Sequence, residues 1–154
     1  MKIEQSFVVE APADRVWSLI RDPEIMVSCV PGCDAIEQVD DTTYKADVTV
    51  SVGPIKATFN LIIEIVEEMP PVFVKTHSRG EEGSRASMVK SVNEMRLTSL
   101  SAGETEIAYA ADVEISGRLG RYGAGMMKKI ATKLAAKFED SFRQLAEESE
   151  PVTG

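Results

Sequence analysis

"EIAYAADVEISGRLGRYGAGMMKKIATKLAAKF", residues 106–138, changes its hydrophobic period partway along. Up to Ser116 the pattern alternates, so that Ile107, Tyr109, Ala111, Val113 and Ile115 share one face of a strand. From Leu119 onward the spacing is helical. Leu119, Gly123, Met126, Met127, Ile130, Leu134, Phe138 and, further on, Leu145 fall on one stripe. Gly117, Gly120, Gly123 and Gly125 occupy the changeover. A last strand therefore runs directly into an amphipathic helix of about seven turns, expected from about Leu119 to Glu147. That helix must bury its stripe against another layer.

The layer lies upstream. "KIEQSFVVE" (2–10) alternates, with Ile3, Gln5, Phe7 and Val9 on one face. "APADRVWSLI" (11–20) and "RDPEIMVSCVPGC" (21–33) read as two short helices, the second started by Pro23 and stopped by Pro31-Gly32. A run of strands follows. "AIEQVDDTTYKADVTVSV" (35–52) is a hairpin turning at Asp40-Asp41, with Tyr44, Ala46, Val48, Val50 and Val52 on a common face. After a turn at Gly53-Pro54, Ile55, Ala57, Phe59, Leu61, Ile63 and Ile65 point one way and Lys56, Thr58, Asn60 and Glu64 the other. "VFVKTHSR" (72–79) is a shorter strand, "GEEGS" (80–84) a loop, and residues 85–100 one more strand. Sequential strands pair with their neighbours. The expectation is an α+β fold: a curved antiparallel sheet of seven strands, two short helices after the first strand, and one long C-terminal helix across the sheet. One domain spans 1–147, and 148–154 is a polar tail.

Composition narrows the function. With 154 residues and 44% apolar content the chain can bury a core. A formal net charge of -8 argues against nucleic acid as a partner. No apolar run is long enough to span a membrane, and the N-terminus lacks a signal-peptide pattern, so a cytoplasmic protein is expected. Cys29 and Cys33 are the only cysteines and His77 the only histidine. The cysteine spacing is not CxxC and no second ligand pair exists, so neither a metal nor another cofactor is expected.

Three stretches in this order, "RVWSLIRDPEIMVSCVPGCDAIE" (15–37), "VGPIKATFNL" (52–61) and "YAADVEISGRLGRYG" (109–123), resemble the family of carbon monoxide dehydrogenase G subunits, within the START-like (SRPBCC, helix-grip) superfamily. The resemblance runs from about residue 3 to residue 145. It implies a helix-grip fold with a cavity between sheet and helix. It also implies a non-catalytic accessory protein that binds a hydrophobic molecule, a quinone or lipid, and assists a molybdenum-containing carbon monoxide dehydrogenase or related hydroxylase at the inner face of the membrane. Many family members carry a C-terminal extension thought to touch the membrane; with the sequence ending at Gly154, such an anchor is not expected here.

The residues bear on a cavity independently. Ala46, Ala57 and Ala111 are small where a packed sheet would carry large side chains, and methionines on the helix adapt to varied partners. Ordinary packing of large helical residues over alanines is the competing reading. The cavity wall is expected at Phe59, Leu61, Ile63, Tyr109, Met126, Met127 and Ile130. The glycine stretch is neither GxGxxG nor a P-loop. It is either a soft cavity mouth, formed by Gly120 and Gly123 beside Ile25 and Met26, or a site of close backbone packing. Arg118, Arg121 and Lys128 gather at the same end, either as a solvated face or as a contact for anionic headgroups or an acidic partner. The alternative function is a START-like enzyme, a cyclase, dehydratase or hydrolase, acting in the same cavity. Tyr44 and Tyr109 are inward titratable groups for that reading, and the face of His77 is left open.

Overall fold

The structure, a computed structural model, describes residues 1–52, 54–83 and 86–148. Gly53 of the expected turn, Ser84 of the expected loop and residues 149–154 of the expected tail lie outside the described residues, as do the side chains of Val52, Ile55 and Ala124. The chain runs β1 (Lys2–Val9), α1 (Ala13–Ile20), α2 (Pro23–Cys29), β2 (Cys33–Asp40), β3 (Thr43–Val52), β4 (Ile55–Met69), β5 (Phe73–Glu82), β6 (Ser87–Ser101), β7 (Glu104–Gly117), a 3-10 turn (Leu119–Tyr122) and α3 (Gly123–Glu147). The seven strands form one antiparallel sheet in the order β1-β7-β6-β5-β4-β3-β2. β2 to β7 are a continuous meander, and β1 closes onto β7. With the long helix after β7, this is the helix-grip fold.

Register decides which side chains face the helices. Phe7 pairs with Ile107, Ile107 with Leu97, and all three are buried. Following the partners across the sheet places Tyr109, Met95, Val74, Ile65, Ile63 and Tyr44 on the same inner face. His77 lies opposite Glu64 and Val92 on the other face and is exposed.

Two apolar clusters fill the inner side. The larger joins Phe7, Val9, Val16, Cys29, Leu97 and Ile107 to Phe138, Phe142 and Ala146 of α3. Phe142 is fully buried, stacked on Phe138 at 5.6 Å and edge-on to Phe7 at 6.5 Å. The smaller cluster holds Ala57, Phe59, Leu119 and Met127, with Leu61 and Ile130 packed against it. The first helix binds the C-terminal end of α3: Arg15 donates to the carbonyls of Ala146 (3.0 Å) and Leu145 (3.2 Å), two of the acceptors that a helix end leaves unpaired. α2 is started by Asp22, whose carboxylate accepts from the Glu24 amide at 3.0 Å, with Pro23 in its first turn.

Two expectations are corrected. β5 does not stop before Gly80 but continues to Glu82. Gly80 pairs with Leu61 and Val89, and a Cβ there would lie 2.2 Å from the Asn60 carbonyl oxygen, so this glycine serves a close approach inside the sheet. The buried Glu82 carboxylate is held by the Arg118 guanidinium. The C-terminal helix does not begin at Leu119. A 3-10 turn comes first, and Gly123, at φ 85°, redirects the chain before regular helix starts. A left-handed φ is open to glycine at no steric cost.

Candidate functional site

The α1–α2 segment does not lie flat on the sheet. Between them is a cavity of about 340 Å³, within the range of small-molecule sites. Ile20, Pro23, Met26 and Val30 form its cover. Ile36, Tyr44, Ile63 and Ile65 of β2–β4 form one wall, and Val74, Thr76, Asn93, Met95, Tyr109 and Ala111 of β5–β7 form the floor. Two further depressions, of about 400 and 680 Å³, are lined mostly by outward-facing residues, among them Glu4, Glu94, Arg96, Lys45, Asp47 and Arg79. Charged side chains border both, so they suit an apolar ligand less well than the cavity beneath α2.

At the rim, Arg21 donates from Nε to Glu68 at 2.7 Å and from Nη1 to the Tyr44 hydroxyl at 2.5 Å. These bonds tie the α1–α2 junction to β3 and β4. Tyr109, edge-on to Phe138, has its phenol pKa pushed up to about 12, first by burial and then by nearby Glu139. It stays protonated at neutral pH. Burial also raises the thiol pKa of Cys29 and Cys33, which makes both poor nucleophiles and poor metal ligands. Among the described residues no group of three His, Cys, Asp or Glu is placed to hold a metal ion.

Of the residues expected at the wall, Ile63 and Tyr109 line this cavity. Phe59 and Met127 are buried in the smaller cluster instead, with Leu61 and Ile130 against it, and Met126 is 44% exposed. The cavity sits beneath α2, and no described residue of α3 lines it. At the expected mouth, Met26 lines the cavity, whereas Ile25 packs on the larger cluster. Neither Gly120 nor Gly123 lines it; a Cβ on Gly120 would lie 2.7 Å from the Ile115 carbonyl oxygen. Arg118 is paired with Glu82, while Arg121 and Lys128 are exposed.

Sequence reasoning missed Thr76 and Asn93. They belong to strands whose alternation is polar on both faces, so periodicity gave no signal. Arg21 and the cover residues Ile20 and Pro23 were also missed, since a short helix hides which side covers a void.

Residues 6–147 match the family model for the carbon monoxide dehydrogenase G subunit (CoxG). A comparison with curated proteins returns no match. Among solved structures, the chain is similar to a conserved protein from Geobacillus kaustophilus, with 25% identity, a TM-score of 0.87 and 95% of each chain covered. The ZhuI aromatase/cyclase from Streptomyces sp. R1128 shares 17% identity at a TM-score of 0.71, covering 96% of this chain and 93% of the other. A START superfamily protein from Mycobacterium smegmatis shares 16% identity at a TM-score of 0.71, covering 96% and 97%. The last two likenesses concern the fold alone.

Proposed function

The chain belongs to the CoxG family of carbon monoxide dehydrogenase G subunits, and from that premise we propose that it is a non-catalytic carrier of a hydrophobic small molecule, a quinone or lipid. It would serve a molybdenum-containing carbon monoxide dehydrogenase or related oxidoreductase. The observation that carries this reading is the cavity of about 340 Å³, whose cover and walls are dominated by Ile, Val, Met and Pro side chains. Such a site gains affinity from apolar area removed from water, about 25 cal/mol per Å². No helix among the described residues is long and apolar enough to cross a membrane. Peripheral contact through the exposed Arg121 and Lys128 is part of the proposal, and reversing both charges should weaken uptake from anionic vesicles in a salt-dependent way.

A cyclase-like or hydrolytic reaction in the same cavity is the second reading. The observation in its favour is Tyr109, a protonated phenol among the residues that line the cavity. A phenol held near pKa 12 is poorly matched to acid–base work at neutral pH, and the single histidine is on the outer face. Native mass spectrometry of freshly purified protein, followed by solvent extraction, tests the carrier reading. The expected result is a co-purifying apolar molecule recovered chemically unchanged. Turnover of that molecule by the protein alone would favour the enzyme instead.

A further inference from the structure

The inner face of β5 and β6 is polar at its centre. Two adjacent cross-strand pairs, Thr76–Asn93 and Ser78–Ser91, put four hydrogen-bonding side chains side by side. Their neighbours on the same face are apolar: Ile65 and Ile63 on β4, Ala111 and Val113 on β7. Strand pairing uses only backbone groups, so valine at any of these positions would preserve the sheet and pack better. A polar island facing inward needs another purpose, or it simply costs stability.

Asn93 organises the island. Its Nδ2 lies 3.2 Å from Thr76 Oγ1, Ser78 Oγ and Ser91 Oγ alike. All three partners are hydroxyls, which can accept or donate, so the amide fits in either orientation. One of its two heavy atoms is left over in both cases. No buried side-chain nitrogen or oxygen among the described residues lacks a partner, so the leftover atom is accessible. Asn93 and Thr76 both line the cavity. They present a donor and an acceptor without charge.

The charged residues lining the cavity do not change this. Glu94 is of opposite parity to Asn93, and its side chain is exposed. Arg21 is engaged by Glu68 and Tyr44. An anionic ligand would have to displace Glu68 or enter without a counter-ion, and an unpaired buried charge is strongly disfavoured.

We infer that the cavity selects a ligand whose apolar body ends in an uncharged hydrogen-bonding group, a carbonyl or hydroxyl, and that Asn93 and Thr76 hold that end. This rests on the carrier reading and adds the chemistry of the bound head. It separates neutral ketones, quinones and alcohols, which fit, from ionised acids, which do not.

Three probes with one apolar body test it at pH 7: 2-acetylnaphthalene, 2-ethylnaphthalene and 2-naphthoate, each titrated calorimetrically into the full chain. The ketone should bind about five- to tenfold tighter than the hydrocarbon, the worth of one neutral hydrogen bond, and the carboxylate weakest. In Asn93→Leu and in Thr76→Val the ketone's advantage should vanish while the hydrocarbon binds as well or better. Thr76→Val keeps the shape of the side chain and decides the matter if Asn93→Leu does not fold. Naphthoate binding as tightly as the ketone would overturn the inference, as would equal weakening of ketone and hydrocarbon in both variants. Either outcome leaves the carrier reading standing, because the hydrocarbon still binds. Failure of all three probes would remove the carrier reading and this inference together.

Discussion

Placing tryptophan at Ala57 and, separately, at Ala111 distinguishes packed core from cavity. Both alanines face inward on long strands, Ala57 near the start of β4 and Ala111 in the middle of β7. Ala57 is 1% exposed and enclosed by Phe59, Leu119 and Met127. Ala111 borders the cavity of about 340 Å³. An apolar cavity of about 150 Å³ accepts benzene, so a space twice that size has room for an indole. At Ala57 there is no such space, and overpacking costs about 1–3 kcal/mol. For a chain of this length each kcal/mol moves the unfolding midpoint by about 2–4 °C. Ala57→Trp should therefore lower the midpoint by roughly 2–12 °C, whereas Ala111→Trp should leave it within about 2 °C. Thermal denaturation followed by circular dichroism gives the stability, and titration with 2-ethylnaphthalene gives the binding. Ala111→Trp should abolish binding, and folded Ala57→Trp should retain it. Equal destabilisation by the two substitutions, or undiminished binding in Ala111→Trp, would show that the void beneath α2 is not a usable cavity.

Phe142→Ala should be the most damaging truncation in the larger cluster, at about 3–5 kcal/mol in urea unfolding, because this fully buried ring is stacked on Phe138 and edge-on to Phe7. A loss below about 1 kcal/mol would mean that the helix is not anchored there. Glu82 has its carboxyl pKa lowered from the ordinary 4.5, first by the hydrogen bond from Arg118. Its contribution to stability is therefore complete above pH 4.5 and lost as pH falls through the lower folded-state value. Glu82→Gln should be less stable at neutral pH, and the gap should close in acid; parallel stability curves would refute the linkage. Gly123→Ala should cost roughly 1–3 kcal/mol, since φ there is 85°; a stabilised variant in the same denaturation assay would mean that this residue is helical.

The meander and the long helix were readable in the sequence because each carries its own period, two for β7 and 3.6 for the stripe through Ile130, Leu134 and Phe138, and the second short helix because Pro23 and Pro31-Gly32 bound it. Period alone does not say how far apart two layers stand. Phe59 and Ile63 share a face and a strand, yet one is in packed core and the other borders the cavity. The difference lies in what covers them, Met127 over Phe59 and the α1–α2 segment over the cavity. Small residues were an ambiguous cue for the same reason. Ala57 makes room for a neighbour, and Ala111 leaves room unfilled. Asn93 and Thr76 were hidden because an inward polar side chain looks, in sequence, like an outward one.

The glycine stretch was ambiguous for a related reason, since glycine permits both flexibility and a fixed positive φ. Its neighbours decide between them. At Gly117, φ is 86°, and a Cβ would lie 2.2 Å from the Ala86 carbonyl oxygen. The amides of Arg118 and Leu119 then donate to Ala86 O (2.8 Å) and Ser87 Oγ (3.0 Å), and the Arg118 side chain grips Glu82. This is a tied corner, and the far end of α3 is tied by Arg15. A helix fixed at both ends is a poor gate. The α1–α2 cover is held across the cavity rim by Arg21 on Glu68 and Tyr44, so ligand exchange is expected beside α2. A charge-assisted hydrogen bond is worth about 1.5–3 kcal/mol. Both partners here are about a quarter exposed, at 27% and 26%, which reduces that to about 1 kcal/mol. Glu68→Gln should therefore speed release of bound 2-acetylnaphthalene about fivefold in stopped-flow displacement, with little change in the unfolding midpoint. Unchanged release in Glu68→Gln, together with faster release when Glu82→Gln loosens the glycine corner, would move the gate back to the start of α3.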